Sequence, residues 1–387
     1  MSINLKITKN VSRVLAKLNH DFKNIHLFSS KKISSQEFDF KKNLNHKISD
    51  KFIIKISNYA KYLRDNKPKA NNDLWGVISK IVNYKEFLNT VCDAKENKEK
   101  FIELILNCGK ENLTYGFGTN RRTYQELFKK KIFREKEKYY FLDYLLSLSE
   151  YYKLTKVHNP EQGGWIIENE NFNYLIKKIF KQKNILPFKT ANYYYGYKFE
   201  KNFLFLKDLK GLYAAERLSE TYKNNNLSEI IEIGGGLGYT CHYVKQLFDC
   251  RYTMYDLPHT SLLAAIYLMI SQGVDNVNLE NEKPNKKNKI FIKPFWKIFD
   301  NKSKSKILWF NEDSFPEIDF QLSKKYIKKI FKSKNSFLFS VNHEARTGYK
   351  NSNKAHHTVY DLLPKHKRIY RSRDFLRPGY IEELIEV

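Results

Sequence analysis

The hydrophobic rhythm of the chain changes near residue 205. Before that point apolar residues recur three and four apart, the spacing of one helical face. From Ile48 to Leu63, for example, Phe52, Ile53, Ile56, Tyr59, Ala60 and Leu63 share a face. Further helices are predicted over Asn72 to Cys92, Asn97 to Cys108, the long periodic segment Asn120 to Lys156, and Phe172 to Phe180. Pro68, Pro160, the Gly163-Gly164 pair and Pro187 punctuate the chain between them. Residues 1 to 45 are polar and Lys-rich, with periodicity too weak to predict an element. The cluster Tyr193-Tyr194-Tyr195-Gly196-Tyr197 reads as a hydrophobic edge that packs two parts of the chain together. A sugar-stacking platform is the alternative, since tyrosine pairs an apolar face with a polar tip.

Beyond residue 205 short β-branched runs alternate with amphipathic stretches. Leu206 to Tyr222 is a predicted helix, and Ile230, Ile231 and Ile233 form a run typical of a strand buried on both faces. Tyr239, Tyr243, Val244 and Leu247 sit at helical spacing; Tyr252 to Tyr255 is a second strand that ends in Asp256. His259 to Gln272 is an apolar helix and Asn281 to Lys289 a charged loop. Strands follow at Ile290–Ile292 (stopped by Pro294), Ile307–Phe310 and Ser336–Val341, with a helix over Leu322–Phe331. Lys367–Arg371 and Gly379–Ile385 are two closing strands. The expected fold is α/β: residues 206–387 a Rossmann-like, doubly wound, mainly parallel sheet, and residues 1–205 a mostly helical domain. That first domain is expected to serve acceptor binding or dimerisation, so a homodimer is among the expectations.

Composition narrows this only in part. A hydrophobic fraction of 42% with 15% aromatic residues belongs to a folded protein, not a disordered one. The formal charge of +27 invites a nucleic-acid partner. Yet 57 of the 69 basic residues are Lys and 12 are Arg, whereas base and phosphate recognition favours the planar Arg fork. The charge is therefore read as background, with a surface suited to anionic membranes or glycans second, and no specific nucleic acid is expected. Cys92, Cys108, Cys241 and Cys250 show no C-x-x-C pairing and read as free thiols. The first 20 residues lack the apolar core of a secretory leader, and the longest apolar run, Leu262 to Ile270, is too short to span a bilayer. A soluble, cytoplasmic protein is expected.

The candidate chemistry lies between the first strand and its helix, at Gly234-Gly235-Gly236-Leu237-Gly238. Without Cβ atoms such a turn takes positive φ and lets a ligand approach the backbone. The dinucleotide fingerprint G-x-G-x-x-G needs glycine at 239, but Tyr239 stands there. The spacing is G-x-G-x-G, with Glu232 two residues ahead and Asp256 18 residues beyond Gly238. A carboxylate at Asp256 can accept hydrogen bonds from two vicinal ribose hydroxyls. From the residues alone, another nucleotide-binding α/β protein or a structural turn remain the alternatives. The stretch E-I-G-G-G-L-G resembles motif I of Rossmann-like S-adenosylmethionine-dependent methyltransferases. Together with Y-D-L-P, N-E-D-S-F-P-E, V-N-H-E and L-R-P-G-Y, it is similar to sugar O-methyltransferases of bacterial surface-polysaccharide and glycosylated natural-product pathways. The resemblance covers about residues 205 to 387, and Lys350 to His366 is longer than in those relatives.

The resemblance implies S-adenosyl-L-methionine as cofactor and a sugar hydroxyl of a glycan as acceptor, in polysaccharide or glycoconjugate biosynthesis. With the convergence of strand ends, it assigns Glu232, Gly234, Gly235, Gly236, Gly238, Asp256, Leu257 and Asn311 to the cofactor. His343 is the expected base, because an imidazole of ordinary pKa about 6.5 is mostly neutral at cytoplasmic pH. Glu344, Asp313 or Glu317 are expected to orient it or to bind a divalent cation; no metal-ligand set is assigned. Arg371, Arg373 and Arg377 either meet an anionic acceptor or are solvated charges. The competing readings are an RNA methyltransferase and a non-catalytic protein that kept the fold, with a nicotinamide-dependent oxidoreductase disfavoured by Tyr239.

Overall fold

The apolar faces predicted for the first half do bury where they are described, against the second half as well as against each other. The computed structural model describes residues 38–40, 48–66, 82–155, 172–181, 184–190, 194–285, 287, 289–303, 305–344, 357–363 and 367–387. They begin with strand β1 (Phe38–Phe40) and helices α1 (Asp50–Asn66), α2 (Tyr84–Cys92), α3 (Lys98–Leu106), α4 (Arg121–Lys129) and α5 (Lys131–Tyr151). Helix α6 (Phe172–Ile176) follows and continues as a π-helical turn over Lys177–Lys181. The long periodic segment from Asn120 thus divides at Lys130, whose backbone is extended although no Pro or Gly is present. Arg134 explains the break: its Nη1 donates to Leu127 O at 2.8 Å and Phe128 O at 2.9 Å, satisfying carbonyls that continued helix would have used.

Strands β2 (Tyr195–Phe199) and β3 (Asn202–Leu204) join β1 in a small antiparallel sheet, β1-β2-β3. The tyrosine cluster packs there. Tyr197 is stacked on Phe141 with centroids 5.7 Å apart and meets Phe38 edge-on at 5.3 Å.

The second half alternates strand and helix as its sequence pattern predicts. In order it forms α7 (Leu206–Asn224), β4 (Glu229–Ile233), α8 (Tyr239–Leu247), β5 (Arg251–Asp256), α9 (Pro258–Gln272), β6 (Val277–Leu279) and β7 (Ile290–Pro294). Then come β8 (Ile307–Glu312), α10 (Phe320–Ile330), β9 (Phe337–His343), α11 (Val359–Leu362), β10 (Arg368–Arg373) and β11 (Tyr380–Glu386). The sheet order is β10-β11-β9-β8-β4-β5-β7-β6. Every pairing is parallel except β11 with β9 and β10 with β11. β4 is the hub, with Ile230 opposite Tyr252 on one side and Leu308 on the other. The chain leaves β4 for β5 and returns later to β8 on the opposite flank, so a crevice opens at the carboxyl end of β4. Two details differ from the pattern: β6, three residues at the sheet edge, is too short to carry a period, and β7 runs on through Pro294.

One buried cluster runs from Phe38 to Leu384, passing residue 205 without a gap; a smaller one, including Ile231, Trp309 and Leu338, lies elsewhere in the sheet. Polar ties also cross from one half to the other. Tyr267 donates its hydroxyl to Ile105 O at 2.8 Å, and Lys55 Nζ to Val277 O at 2.5 Å. Among the described residues no helix is long and apolar enough to cross a membrane. Residues 1–37, Pro68, the start of the predicted Asn72–Cys92 helix, Pro160, Gly163, Gly164, Tyr193 and most of Lys350–His366 lie outside the described residues.

Candidate active site

The crevice at the end of β4 has a volume of about 240 Å³ and is floored by the glycine turn. Gly234 donates its N–H to Tyr255 O at 2.9 Å, carrying the ladder one step beyond the strand. The chain then turns through alternate left-handed residues, with φ of 78° at Gly234, 58° at Gly236 and 88° at Gly238. At Gly236 a side chain would meet nothing within 4 Å, so this backbone faces the open crevice. The turn is tied to the neighbouring strand through Asp256. Gly236 N–H donates to Asp256 Oδ2 at 2.8 Å and Leu257 N–H to Oδ1 at 2.6 Å. Burial pushes the Asp256 carboxyl up to about 7, against the pull of those two N–H groups. One turn further, the Thr260 hydroxyl is buried without a hydrogen-bond partner among the described residues.

Glu232 lies beneath the turn, where Tyr252 Oη donates to its carboxylate at 2.9 Å. Burial pushes this carboxyl up to about 8. A Cβ on Gly235 would overlap both the Glu232 carboxylate and the Met254 sulfur, so the glycine makes room for the acid below it.

The opposite wall comes from the end of β8, from α7 and from the β10–β11 hairpin. Asp313 adopts a left-handed backbone, φ 60°, which Asp tolerates better than most residues, and this turns its side chain into a cluster of cations. Arg377 Nη1 donates to both Asp313 oxygens at 2.8 Å, and Lys210 Nζ donates at 3.2 Å. Although burial opposes it, the charges of Lys210 and Arg377 hold the Asp313 carboxyl well below the usual carboxylate range. Arg377 is only 3% exposed; its Nη2 pairs with Glu312 at 2.9 Å and its guanidinium lies 3.8 Å from the Tyr380 ring centre. Burial and the neighbouring Arg377 pull the Lys210 ammonium down to about 7. Glu317, one turn past Ser314, has its carboxyl raised to about 7 by burial and then by the charge of Asp313. Gly116 and Phe117, between α3 and α4, complete the lining from the first half of the chain.

Of the residues singled out in the sequence, Glu232, Gly234, Gly235, Gly236, Asp256, Asp313 and Glu317 line the crevice together. Gly238 does not: it closes the turn against α9, where a Cβ would lie 2.7 Å from Leu268 Cδ1. Leu257 contributes its N–H to Asp256 but is not on the wall. Asn311 is fully buried behind it, donating from Nδ2 to Ile233 O at 2.8 Å and accepting from Asn342 Nδ2 at 2.9 Å. It clamps the ends of β4, β8 and β9 and is out of a ligand's reach. His343 and Glu344 are also off the wall. His343 lies edge-on to Tyr380, with centroids 6.0 Å apart, and Glu344 accepts from Arg371 Nη2 at 2.6 Å. Of the expected base and its orienting acids, His343 and Glu344 are therefore off the crevice wall, whereas Asp313 and Glu317 are on it. Arg377 is not solvated and does not point at an acceptor, because Glu312 and Asp313 occupy it. Among the described residues no group of three or more His, Cys, Asp or Glu is arranged to hold a metal ion. Lys207, Lys210, Gly116 and Phe117 are wall residues that sequence patterning passed over, and Tyr380 entered only as the end of L-R-P-G-Y. The one signal for the lysines was their spacing of three beside the apolar stripe of α7.

No family model matches the chain, and no curated protein sequence matches it. Solved structures do. The mitomycin 7-O-methyltransferase MmcR aligns over 47% of this chain and 57% of its own, at 13% identity and a TM-score of 0.34. TnmH aligns over 69% of this chain and 73% of its own, at 9% identity and a TM-score of 0.33. The O-methyltransferase TomG from Streptomyces achromogenes, solved with S-adenosylmethionine, aligns over 57% of this chain and 92% of its own, at 9% identity and a TM-score of 0.31. The match thus spans little more than half of MmcR. Likenesses this slight carry neither a residue role nor an activity to this chain.

Proposed function

We propose that the chain is an S-adenosylmethionine-dependent O-methyltransferase, and that its acceptor is a sugar hydroxyl of a glycan or glycoconjugate. The observation that carries the cofactor reading is the excess of carboxyl groups over lysines in the crevice. In a chain of net charge +27, this cavity is lined by five carboxyl residues (Glu232, Asp256, Glu312, Asp313 and Glu317) against two lysines. Two of the five are paired with Arg377 and burial raises the other three, so the wall offers hydrogen-bonding carboxyls rather than the cationic cradle that the pyrophosphate of a dinucleotide or the backbone of RNA favours. The residues present fit the group. Gly236 leaves an open cradle, Asp256 is steadied by two N–H groups with lone pairs to spare for vicinal hydroxyls, and the Thr260 hydroxyl awaits a partner. When bound, S-adenosylmethionine supplies a methyl group already activated by its sulfonium charge. The chain's own residues would hold the acceptor hydroxyl in line with it and keep water out. The sugar acceptor is supported by the sequence motifs around Asp256, Asn311, His343 and Arg377, and by nothing else.

Titration calorimetry tests the cofactor. S-adenosylhomocysteine is expected to bind the wild type and NAD not to bind. Asp256→Ala is expected to weaken S-adenosylhomocysteine by about tenfold or more, some 1.4 kcal/mol, while the protein stays folded. Unchanged affinity in that variant removes Asp256 from the site. Mass spectrometry of the surface glycan made with and without the protein tests the acceptor; a glycan that keeps every methyl group sinks the sugar reading.

A further inference from the structure

Glu317 is the one crevice carboxyl to which the described residues give neither a hydrogen-bond donor nor an ion-pair partner. Every other acid on the wall is held. Glu232 accepts from Tyr252, Asp256 from two backbone N–H groups, and Glu312 and Asp313 are paired with Arg377, Asp313 with Lys210 as well. Lys210 is occupied too, since its Nζ donates to Asp313 and the ammonium form that this pair favours has no lone pair to take a proton. The backbone under Glu317 is nonetheless firm. Glu317 N–H and Ile318 N–H both donate to Ser314 O, at 3.0 and 3.1 Å, and Phe315 between them is fully buried. A carboxylate on a hydrogen-bonded turn, lining a cavity and bonded to none of the described residues, lacks a partner that a ligand hydroxyl would supply.

We propose that Glu317 is the general base that takes the proton of the acceptor hydroxyl. The proposal rests on the methyl-transfer reading above. In the step, the acceptor oxygen forms its bond to the methyl carbon while its O–H bond breaks and the proton passes to a Glu317 oxygen. The electron pair of the broken S–C bond remains on sulfur, which becomes neutral, and Glu317 later returns its proton to water. Other titratable groups share the crevice with this carboxyl: Glu312 and Asp313 from the end of β8, Lys207 and Lys210 from α7, and Tyr380 from the C-terminal hairpin, with Arg377 paired to Glu312 and Asp313. Burial and Asp313 raise its pKa to about 7, and Lys207 opposes them. A base with that pKa is ionised above pH 7 and lost below it, so turnover falls as pH drops through about 7. His343, off the wall, has no such access.

The test uses the full chain, methyl-labelled S-adenosylmethionine, and an extract of the producing cell with this gene deleted, which holds the unmethylated acceptor. Glu317→Gln is expected to bind S-adenosylhomocysteine within about twofold of wild type by calorimetry yet to transfer label at least about 100-fold more slowly. The residual activity should lose its acidic limb near pH 7, and Glu317→Asp should recover part of the rate. Difference infrared spectroscopy of wild type against Glu317→Gln should show one carboxyl titrating near pH 7 that the variant lacks. Label transfer by Glu317→Gln within about threefold of wild type, or a tenfold loss of S-adenosylhomocysteine affinity, overturns the assignment. A wild type that binds no S-adenosylhomocysteine, or binds it and labels nothing in the extract, overturns the methyl-transfer reading itself.

Discussion

Gly235 and Gly236 are neighbours of one residue type, yet the fold needs glycine at them for different reasons. A methyl group at 235 would enter the space of the Glu232 carboxylate and the Met254 sulfur, whereas one at 236 would meet only the crevice. Gly235→Ala is therefore expected to cost about 1–3 kcal/mol of stability through overpacking. Gly236→Ala should cost about 1–2 kcal/mol from its left-handed backbone and, in addition, weaken S-adenosylhomocysteine by filling the cradle. Urea denaturation and calorimetry on both variants separate the two effects. Wild-type affinity in Gly236→Ala would mean that no ligand lies on the turn. His343 makes a similar point about faces. It does stand at the end of β9, but Asn342 before it points to the buried clamp with Asn311 and His343 itself lies beside Tyr380. Successive strand residues face opposite ways, so reaching the right strand end does not decide which residue enters the crevice.

At the level of elements, the crevice wall depends on the hairpin that periodicity predicts as two closing strands and whose L-R-P-G-Y turn carries Arg377. Arg377, in the turn between β10 and β11, binds Glu312 and Asp313 at the end of β8, and its own N–H donates to Asp374 at 2.6 Å. Removing one member of a buried ionic cluster leaves the others charged and unpaired. Arg377→Ala is expected to lower unfolding free energy by about 3–5 kcal/mol in urea denaturation, with Arg377→Lys losing less because the charge survives without the fork. A loss below about 1 kcal/mol would make the network peripheral to stability. The Asn120 to Lys156 segment is a second case at this scale: continuous periodicity ran across Lys130, and a side chain seven residues beyond Leu127 decided the break.

For the molecule as a whole, charge and core distribute differently from what the sequence halves suggest. The basic excess belongs to the chain, while on the wall of the cavity at its sheet acids outnumber lysines five to two. The continuous buried cluster from Phe38 to Leu384 couples the helical half to the sheet half, with Tyr267 and Lys55 reaching across. We therefore expect the full chain to unfold in one transition. Far-UV circular dichroism and fluorescence of the four tryptophans should give superimposable urea curves. Curves with separate midpoints would instead divide the chain into two independently stable units near residue 205.

What the amino-acid order determined by itself was local. The β-branched run at Ile230–Ile233, the glycine spacing after it, the acid at the end of the next strand and the alternation through Ile385 all depend on periodicity and backbone freedom, which neighbours in sequence control. What only the tertiary structure decided was which groups share the crevice and in what electrical state. Lys210, Asp313, Glu317 and Arg377 come from three separate elements, and their pairing and burial set the charge of each. Coulomb interactions and desolvation act through space, so residues distant in the chain determine them, and no pattern along the sequence records the result.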